Sequence, residues 1–532
     1  MKKIITLTLA LLSLALVTAC SSGNDATSDT TTVMPTTQAT PAPAEAPASD
    51  TATMPAPETA WTEADVDVSD AYDHPISAGG ADRETHRHIA ENPWESPQTI
   101  TFTLHSHTAS YRNIARMINN GLRPHPDAVR IAEMLNYFSY DTAAPPIDGS
   151  PFSIYTEIGP SLFNDGKYLA FVHVRAQDIC REDLPASNLT FLIDTSGSMA
   201  AANRLPLLQQ SFALLVPALT ENDVVSIVTY AGCAQVLLDS VPGHHHQYIM
   251  DAINSLEARG HTAGGPGISM AYQLAMEKFD PAMNNRIILA SDGDFNVGVS
   301  TTTELYQMMA AYRQRGIDMT ILGVGMGNFR DDMLETIAQN GNANYHYIDT
   351  IEAAHKVFVE KLLANMFVVA EDVRAQVAFN PYFVESARLI GYENRRIDSA
   401  DFANDLINAG EIGVGAEVVL MFELALHEDL TVADAESPIF EVHIRYHQPG
   451  RAESRLISAA ATHSHMPAEN TADFTFAAAV AAFGHILRGS EHAQNITYQM
   501  VLDMAERSLG YDRGGHRQGF IALVTQFGKI SP

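Results

Sequence analysis

An apolar run, Leu189-Thr190-Phe191-Leu192-Ile193, leads straight into Asp194-Thr195-Ser196-Gly197-Ser198, and strand and helix signatures then alternate to about residue 368. A strand apolar on both faces suits a parallel sheet, where helices cover each side. Leu205, Leu208, Phe212, Leu215 and Leu219 recur at three- and four-residue steps and mark one face of a helix over 204–219. Further strands are expected at 224–230, 287–290 and 319–324, with helices at 266–279 and 303–315. This alternation predicts an α/β domain at 186–368, with a doubly wound, mostly parallel sheet.

In such sheets ligands bind outside the carboxyl ends of the strands. Asp194 ends the first strand, Asp292-Gly293-Asp294 follow the strand at 287–290, and Gly260-His261-Thr262-Ala263-Gly264-Gly265 form a loop between them. Asp194, Ser196, Ser198, Thr262 and Asp292 offer only hard oxygen ligands, which suit Mg²⁺, Mn²⁺ or Ca²⁺. Three of the five are neutral hydroxyls, so a bound ion would keep much of its positive charge. An open position would then favour an Asp or Glu side chain from a protein partner. The bland alternatives are a polar loop cluster with Ser198 as an N-cap, or a purely structural metal.

The order Asp-x-Ser-x-Ser, loop Thr, then Asp after a strand resembles the metal-ion-dependent adhesion site of von Willebrand factor A domains and integrin inserted domains. All five positions match, and His261 departs from the small residue usual before the loop Thr. The resemblance implies one metal per A domain, a two-state switch and a protein-binding, adhesion or scaffold role. The alternative is a metal-dependent hydrolase or phosphatase at the same site. It would need a second metal or a base, for which Asp294 is the one extra carboxylate. No Gly-x-Ser-x-Gly elbow, phosphate loop or His-Glu-x-x-His occurs, so the chain reads as a non-enzyme.

Before this domain, Lys2 and Lys3 precede an apolar stretch, Ile4 to Val17, which is too short to span a bilayer. It ends in Leu16-Val17-Thr18-Ala19-Cys20, which resembles a bacterial lipobox. The resemblance implies a signal peptide at 1–20 and a lipid-anchored, extracytoplasmic protein acylated at Cys20. By resemblance to the lipoprotein sorting pattern, Ser21 in place of Asp favours the outer membrane of a diderm cell. Residues 21–90, rich in Ser, Thr, Ala and Pro, carry too little apolar surface to offset chain entropy and read as a disordered tether. Cys180 and Cys233 are then left to pair as a disulfide or to remain as buried thiols. With 32 basic and 63 acidic residues the formal charge is -31, which disfavours nucleic acid as a partner.

Asn92-Pro93-Trp94, the stretch 110–138, Pro151-Phe152-Ser153, Leu389 to Arg395, Asp401-Phe402 and Asn408 to Gly413 resemble the flanks of bacterial von Willebrand-domain lipoproteins. The flanks divide into 91–185, with a helical hairpin over 110–138 and strands at 98–105 and 151–175; 369–460, β-rich; and 461–532, helical. Alternation such as Val373, Ala375, Val377 and Phe379 predicts strands on both sides of the central domain, sharing one β-sandwich. Two independent sandwiches are the alternative. The histidine groups 86/88, 105/107, 244–246 and 463/465 lack ligand spacing to Cys or Glu and are read as structural.

Overall fold

The computed structural model describes residues 84–530, apart from 97, 147–148, 263, 295–301, 342, 406–408, 428–435, 452, 494 and 511. Cys20 and the tether up to residue 83 lie outside the described residues.

The N-terminal flank supplies β1 (Thr99–Thr103), α1 (Ala109–Asn119), α2 (Ile131–Asn136), β2 (Phe152–Pro160) and β3 (Tyr168–Ala176). The central domain follows with β4 (Ser187–Asp194), α3 (Leu205–Leu215), β5 (Val224–Tyr230), β6 (Ala234–Pro242), α4 (His246–Asn254) and α5 (Gly264–Glu277). It continues through β7 (Asn284–Ser291), α6 (Thr302–Arg313), β8 (Ile317–Val324), α7 (Asp331–Gly341), β9 (Asn344–Ile348), α8 (Ile351–His355) and α9 (Leu362–Met366). Its sheet has the order β6-β5-β4-β7-β8-β9, parallel except for the β5–β6 edge pair. The first strand lies in the middle, with successors on either side, so the order reverses between β4 and β7. Such a switch point opens a crevice at the carboxyl ends.

The C-terminal flank contributes β10 (Val368–Phe379), β11 (Val384–Ile390), β12 (Gly410–Gly413), β13 (Glu417–Leu426), β14 (Phe440–His447) and β15 (Ser454–Ala461), then α10 (Ala472–Arg488), α11 (Tyr498–Arg507) and α12 (His516–Ile530). The strands of both flanks interleave. One sheet runs β1-β10-β14-β15 with β12 beside β10, and the other runs β11-β13-β3-β2, all antiparallel. The flanks therefore build one sandwich, with the α/β domain inserted between β3 and β10.

The run Val418-Val419-Leu420-Met421-Phe422 in β13 shows why a strand can be apolar throughout. Val418, Leu420 and Phe422 face the core between the sheets, while Val419 and Met421 face the core under the helices. The polar residue that follows, Glu423, is fully buried and held by Arg388 of β11 at 2.9 Å. In α10, Phe474 to His485 are all buried, so this helix is apolar on nearly every side and lies central to the second core.

β3 lies between β2 and β13, so removing it uncovers a full edge and the apolar face of β13. Deleting residues 98–175 is expected to unfold 372–448. A separately expressed 372–532 fragment should show no cooperative melting transition by circular dichroism; a sharp transition would contradict the shared sandwich.

Two expectations need correction. Residues 84–90, assigned to the tether, instead dock on the central domain. Thr85 Oγ1 donates to Asp332, His86 Nδ1 lies 3.0 Å from Asp331, Arg87 Nη1 donates to Gln339 at 2.5 Å, and Ile89 is buried. The polar character that signalled a tether is consumed in these bonds. Cys180 and Cys233 are free and exposed, neither a disulfide nor buried thiols. Cys180 precedes a short 3-10 turn, and Cys233 sits in the turn between β5 and β6, where both reach solvent.

Candidate metal centre

β4 and β7 pair in register up to Ile193 and Ala290, which brings their ends side by side. Asp194 is fully buried there. Its Oδ1 accepts from the Ser196 backbone N–H at 2.8 Å and its Oδ2 from the Ser291 hydroxyl at 3.1 Å. Both donors are neutral, and among the described residues no basic side chain pairs with Asp194. Burial, with Asp292 nearby adding to it, pushes this carboxyl up to about 6 against the opposing hydrogen bonds.

Ser196, just ahead of the short 3-10 turn Gly197–Ala200, and Ser198 within it turn their hydroxyls to each other at 3.0 Å. Ser198 is not an N-cap. It lies inside that turn, and α3 starts only at Leu205 with no side-chain cap. The Thr262 loop is tied to this turn by backbone bonds from Gly197 N–H to Gly260 at 3.0 Å and from Arg259 N–H to Thr195 at 2.8 Å. A Cβ on Gly197 would come 3.1 Å from the Gly260 carbonyl oxygen, so the approach of the two loops favours glycine. Thr262 itself is half-buried and His261 beside it is exposed.

Asp292 is also fully buried. Its Oδ1 accepts from the Asp294 N–H at 3.2 Å, and its Oδ2 from Arg204 Nη1 at 2.8 Å. The same guanidinium donates to the Ser198 carbonyl at 2.5 Å, to the Met326 carbonyl at 2.7 Å and to the Asn328 side chain. Arg204 thus straps three loops of the crevice together. Gly293, at φ +82, holds the turn after Asp292, and a Cβ there would strike the Arg330 carbonyl at 2.6 Å.

The structure thus brings Asp194, Ser196 and Ser198 together with Asp292 at one switch point, and holds the Thr262 loop against them. Sequence reasoning missed Arg204 and Ser291. Ser291 was signalled by a lone hydroxyl ending the apolar strand Ile287–Ala290, and Arg204 by its place just ahead of an apolar helix. Among the described residues no group of three or more His, Cys, Asp or Glu is placed to hold an ion. Hydroxyls make up most of this donor set. Two buried carboxylates carry one cation between them, so a hard divalent ion fits the uncompensated charge and the oxygen-only chemistry.

Comparisons with known proteins agree with this architecture. The von Willebrand factor type A domain family matches residues 188–361, a von Willebrand factor family matches 80–170, and a family described as "Uncharacterized protein YfbK, C-terminal" matches 364–530. "Uncharacterized protein YfbK" of Escherichia coli (strain K12) is 40% identical over 459 residues, covering 82% of this chain and 78% of that protein. The chain belongs to the YfbK family. A second relative, "Uncharacterized protein sll0103" of Synechocystis, is 23% identical over 278 residues, covering 51% of this chain and 64% of that protein. Among solved structures, "von Willebrand factor type A from Catenulispora acidiphila" is 16% identical, with a TM-score of 0.42 over 70% of this chain and 88% of that one. The ArnB paralog VWA2 of Sulfolobus acidocaldarius is also 16% identical, with a TM-score of 0.35 over 72% and 98%. A von Willebrand factor type A domain in a YfbK-family chain points to a protein-interaction or adhesion module.

Proposed function

We propose that the central domain is a divalent-metal-dependent binding module that grips an Asp or Glu side chain of a protein partner. Mg²⁺, or Mn²⁺ or Ca²⁺ in its place, would be held by Asp194, Ser196, Ser198, Thr262 and Asp292. The observation that carries this reading is the fully buried Asp194 carboxylate, served only by neutral donors beside a second buried carboxylate. A bound ion would supply a positive Lewis-acid centre for an external carboxylate oxygen. The chain's own residues fix the site: Ser291 and the Ser196 N–H hold Asp194, and Arg204 holds Asp292.

The test is capture of envelope proteins on the immobilised protein in Mg²⁺ and in chelator. A set of proteins retained only with Mg²⁺, and lost when their acidic side chains are amidated, supports the reading. Retention indifferent to chelator contradicts it.

Lipidation at Cys20 would tether the module to a membrane outside the cytoplasm. Each buried acyl methylene contributes about 0.8 kcal/mol to anchoring. Cys20→Ser is expected to move the protein from the membrane pellet and detergent phase to the aqueous phase. Unchanged partitioning in Triton X-114 would refute the anchor.

A further inference from the structure

Away from the metal centre, the central domain and its flanks enclose a cleft with two chambers. The inner chamber, about 40 Å³, is lined by Thr108, Arg112, Tyr137, His346, Lys356 and Asn365, among others. The outer chamber, about 460 Å³, shares Arg112 and Tyr137 and is bounded by α12. The inner space holds on the order of three water-sized groups, the size of one carboxylate.

Lys356 opens a π-helical turn, Lys356–Glu360, between α8 and α9. Such turns often occur at functional sites. Its side chain is 7% exposed, and its ammonium lies 3.9 Å from Glu360 Oε2 and 4.7 Å from the Tyr137 ring centroid. Among the described residues it has no hydrogen-bond acceptor. The neighbouring cations are each satisfied: Arg112 by Asp349 at 2.7 and 2.8 Å, and Lys361 by Glu417 at 2.7 Å. Glu360 is shared with His516 Nε2 at 2.8 Å. Across the same chamber, His346 Nδ1 meets the Thr108 hydroxyl at 2.8 Å, while its buried Nε2 makes no hydrogen bond of normal geometry, the Asn365 side chain being its polar neighbour. A buried ammonium without an acceptor and a buried ring nitrogen without a well-formed hydrogen bond are both costly unless something else completes them.

We propose that this cleft is a second binding site, for a small singly charged carboxylate that enters by the outer chamber and seats on the Lys356 ammonium, with His346 Nε2–H as a second donor. One negative charge matches the cation of the cleft whose ion pair, with Glu360 at 3.9 Å, is too long for a hydrogen bond. A phosphate dianion would be undercompensated. The site is independent of the divalent-ion reading.

Burial, helped by the charge of Lys361, pushes the Lys356 amine down to about 7, against Glu360, Glu417 and Asp512. A bound carboxylate would restore the ammonium, so binding must take up a proton above neutral pH. The probe is acetate, titrated by calorimetry in two buffers of different ionisation enthalpy. Uptake of about 0.9 proton per acetate is expected at pH 8, and about 0.1 at pH 6. Chelator should change neither value. Lys356→Met should fold, because it removes a poorly solvated amine from the interior, and should bind acetate about 30-fold more weakly. Lys356→Arg, which keeps a cation, should retain binding without the proton uptake. Absence of uptake at pH 8 in the unmodified protein, or acetate binding by Lys356→Met equal to it, would overturn the proposal.

Discussion

Asp194→Ala is expected to lose Mg²⁺ and the acidic partner together while keeping the fold. The site has two carboxylates, and Arg204 already engages the other. Without Asp194 the remaining charge near the Ser196 and Ser198 hydroxyls is balanced, and nothing is left to hold a divalent ion. At a free Mg²⁺ concentration ~100 times the dissociation constant, mass action stabilises the wild-type protein by ~2.7 kcal/mol. In thermal melts with and without Mg²⁺ this increment should vanish for Asp194→Ala. The metal-free variant should melt no lower than metal-free wild type, because a poorly solvated buried carboxyl has gone. Ser198→Ala should weaken both metal and partner. Thr262→Ala should act more selectively, keeping metal at lower affinity while partner capture falls. Equal Mg²⁺-dependent stabilisation of wild type and Asp194→Ala would remove the basis for the site.

The largest expected loss of stability follows Arg130→Ala. Arg130, from the flank just ahead of α2, donates to Glu133 at 2.7 Å and to both oxygens of Asp331 at 2.6 and 3.1 Å. Glu335 lies 3.6 Å away, and all four side chains are buried. Asp331 and Glu335 belong to α7, so this cluster fastens the inserted domain to its flank. Removing the cation strands three buried carboxylates and should cost about 3–5 kcal/mol at pH 7. Arg130 and His86 hold the Asp331 carboxyl well below its ordinary range against burial. A depressed folded pKa gives stability that is full above the unfolded value, near 3.9, and is lost as pH falls through the folded one. The variant lacks most of that depression, so its deficit should be full at pH 7 and shrink as pH falls below about 4. Urea denaturation of both proteins at pH 7 and pH 3.5 measures this. A deficit under about 1 kcal/mol at pH 7 would show that the cluster does not fasten the two parts.

The doubly wound sheet was legible because β4 and β7 are apolar on both faces, alternate with helical patterns and lead into aspartates, as helix-covered parallel strands do. The proposed oxygen donors were legible for a related reason: Asp194, Ser196, Ser198 and Asp292 lie where β4 and β7 stop, with the Thr262 loop between them in sequence. Edge elements were not. β6 is largely exposed along Gln235–Leu237, and β15 exposes Arg455 and Leu456, so neither shows the buried run of a core strand. Arg204 escaped because its role depends on three loops, 198, 292 and 326–328, that only the fold brings together. Residues 84–90 escaped because polar side chains that bond to Asp331 and Asp332 look, in one dimension, like any solvated linker.

One hard divalent ion is expected among Asp194, Ser196, Ser198, Thr262 and Asp292. Calorimetric titration of the chelator-stripped protein with Mg²⁺ tests it most directly. The expected result is a single site per chain whose heat disappears in Asp194→Ala, with Ser198→Ala and Thr262→Ala binding more weakly. No saturable heat at millimolar Mg²⁺, or a site of unchanged affinity in Asp194→Ala, would contradict it.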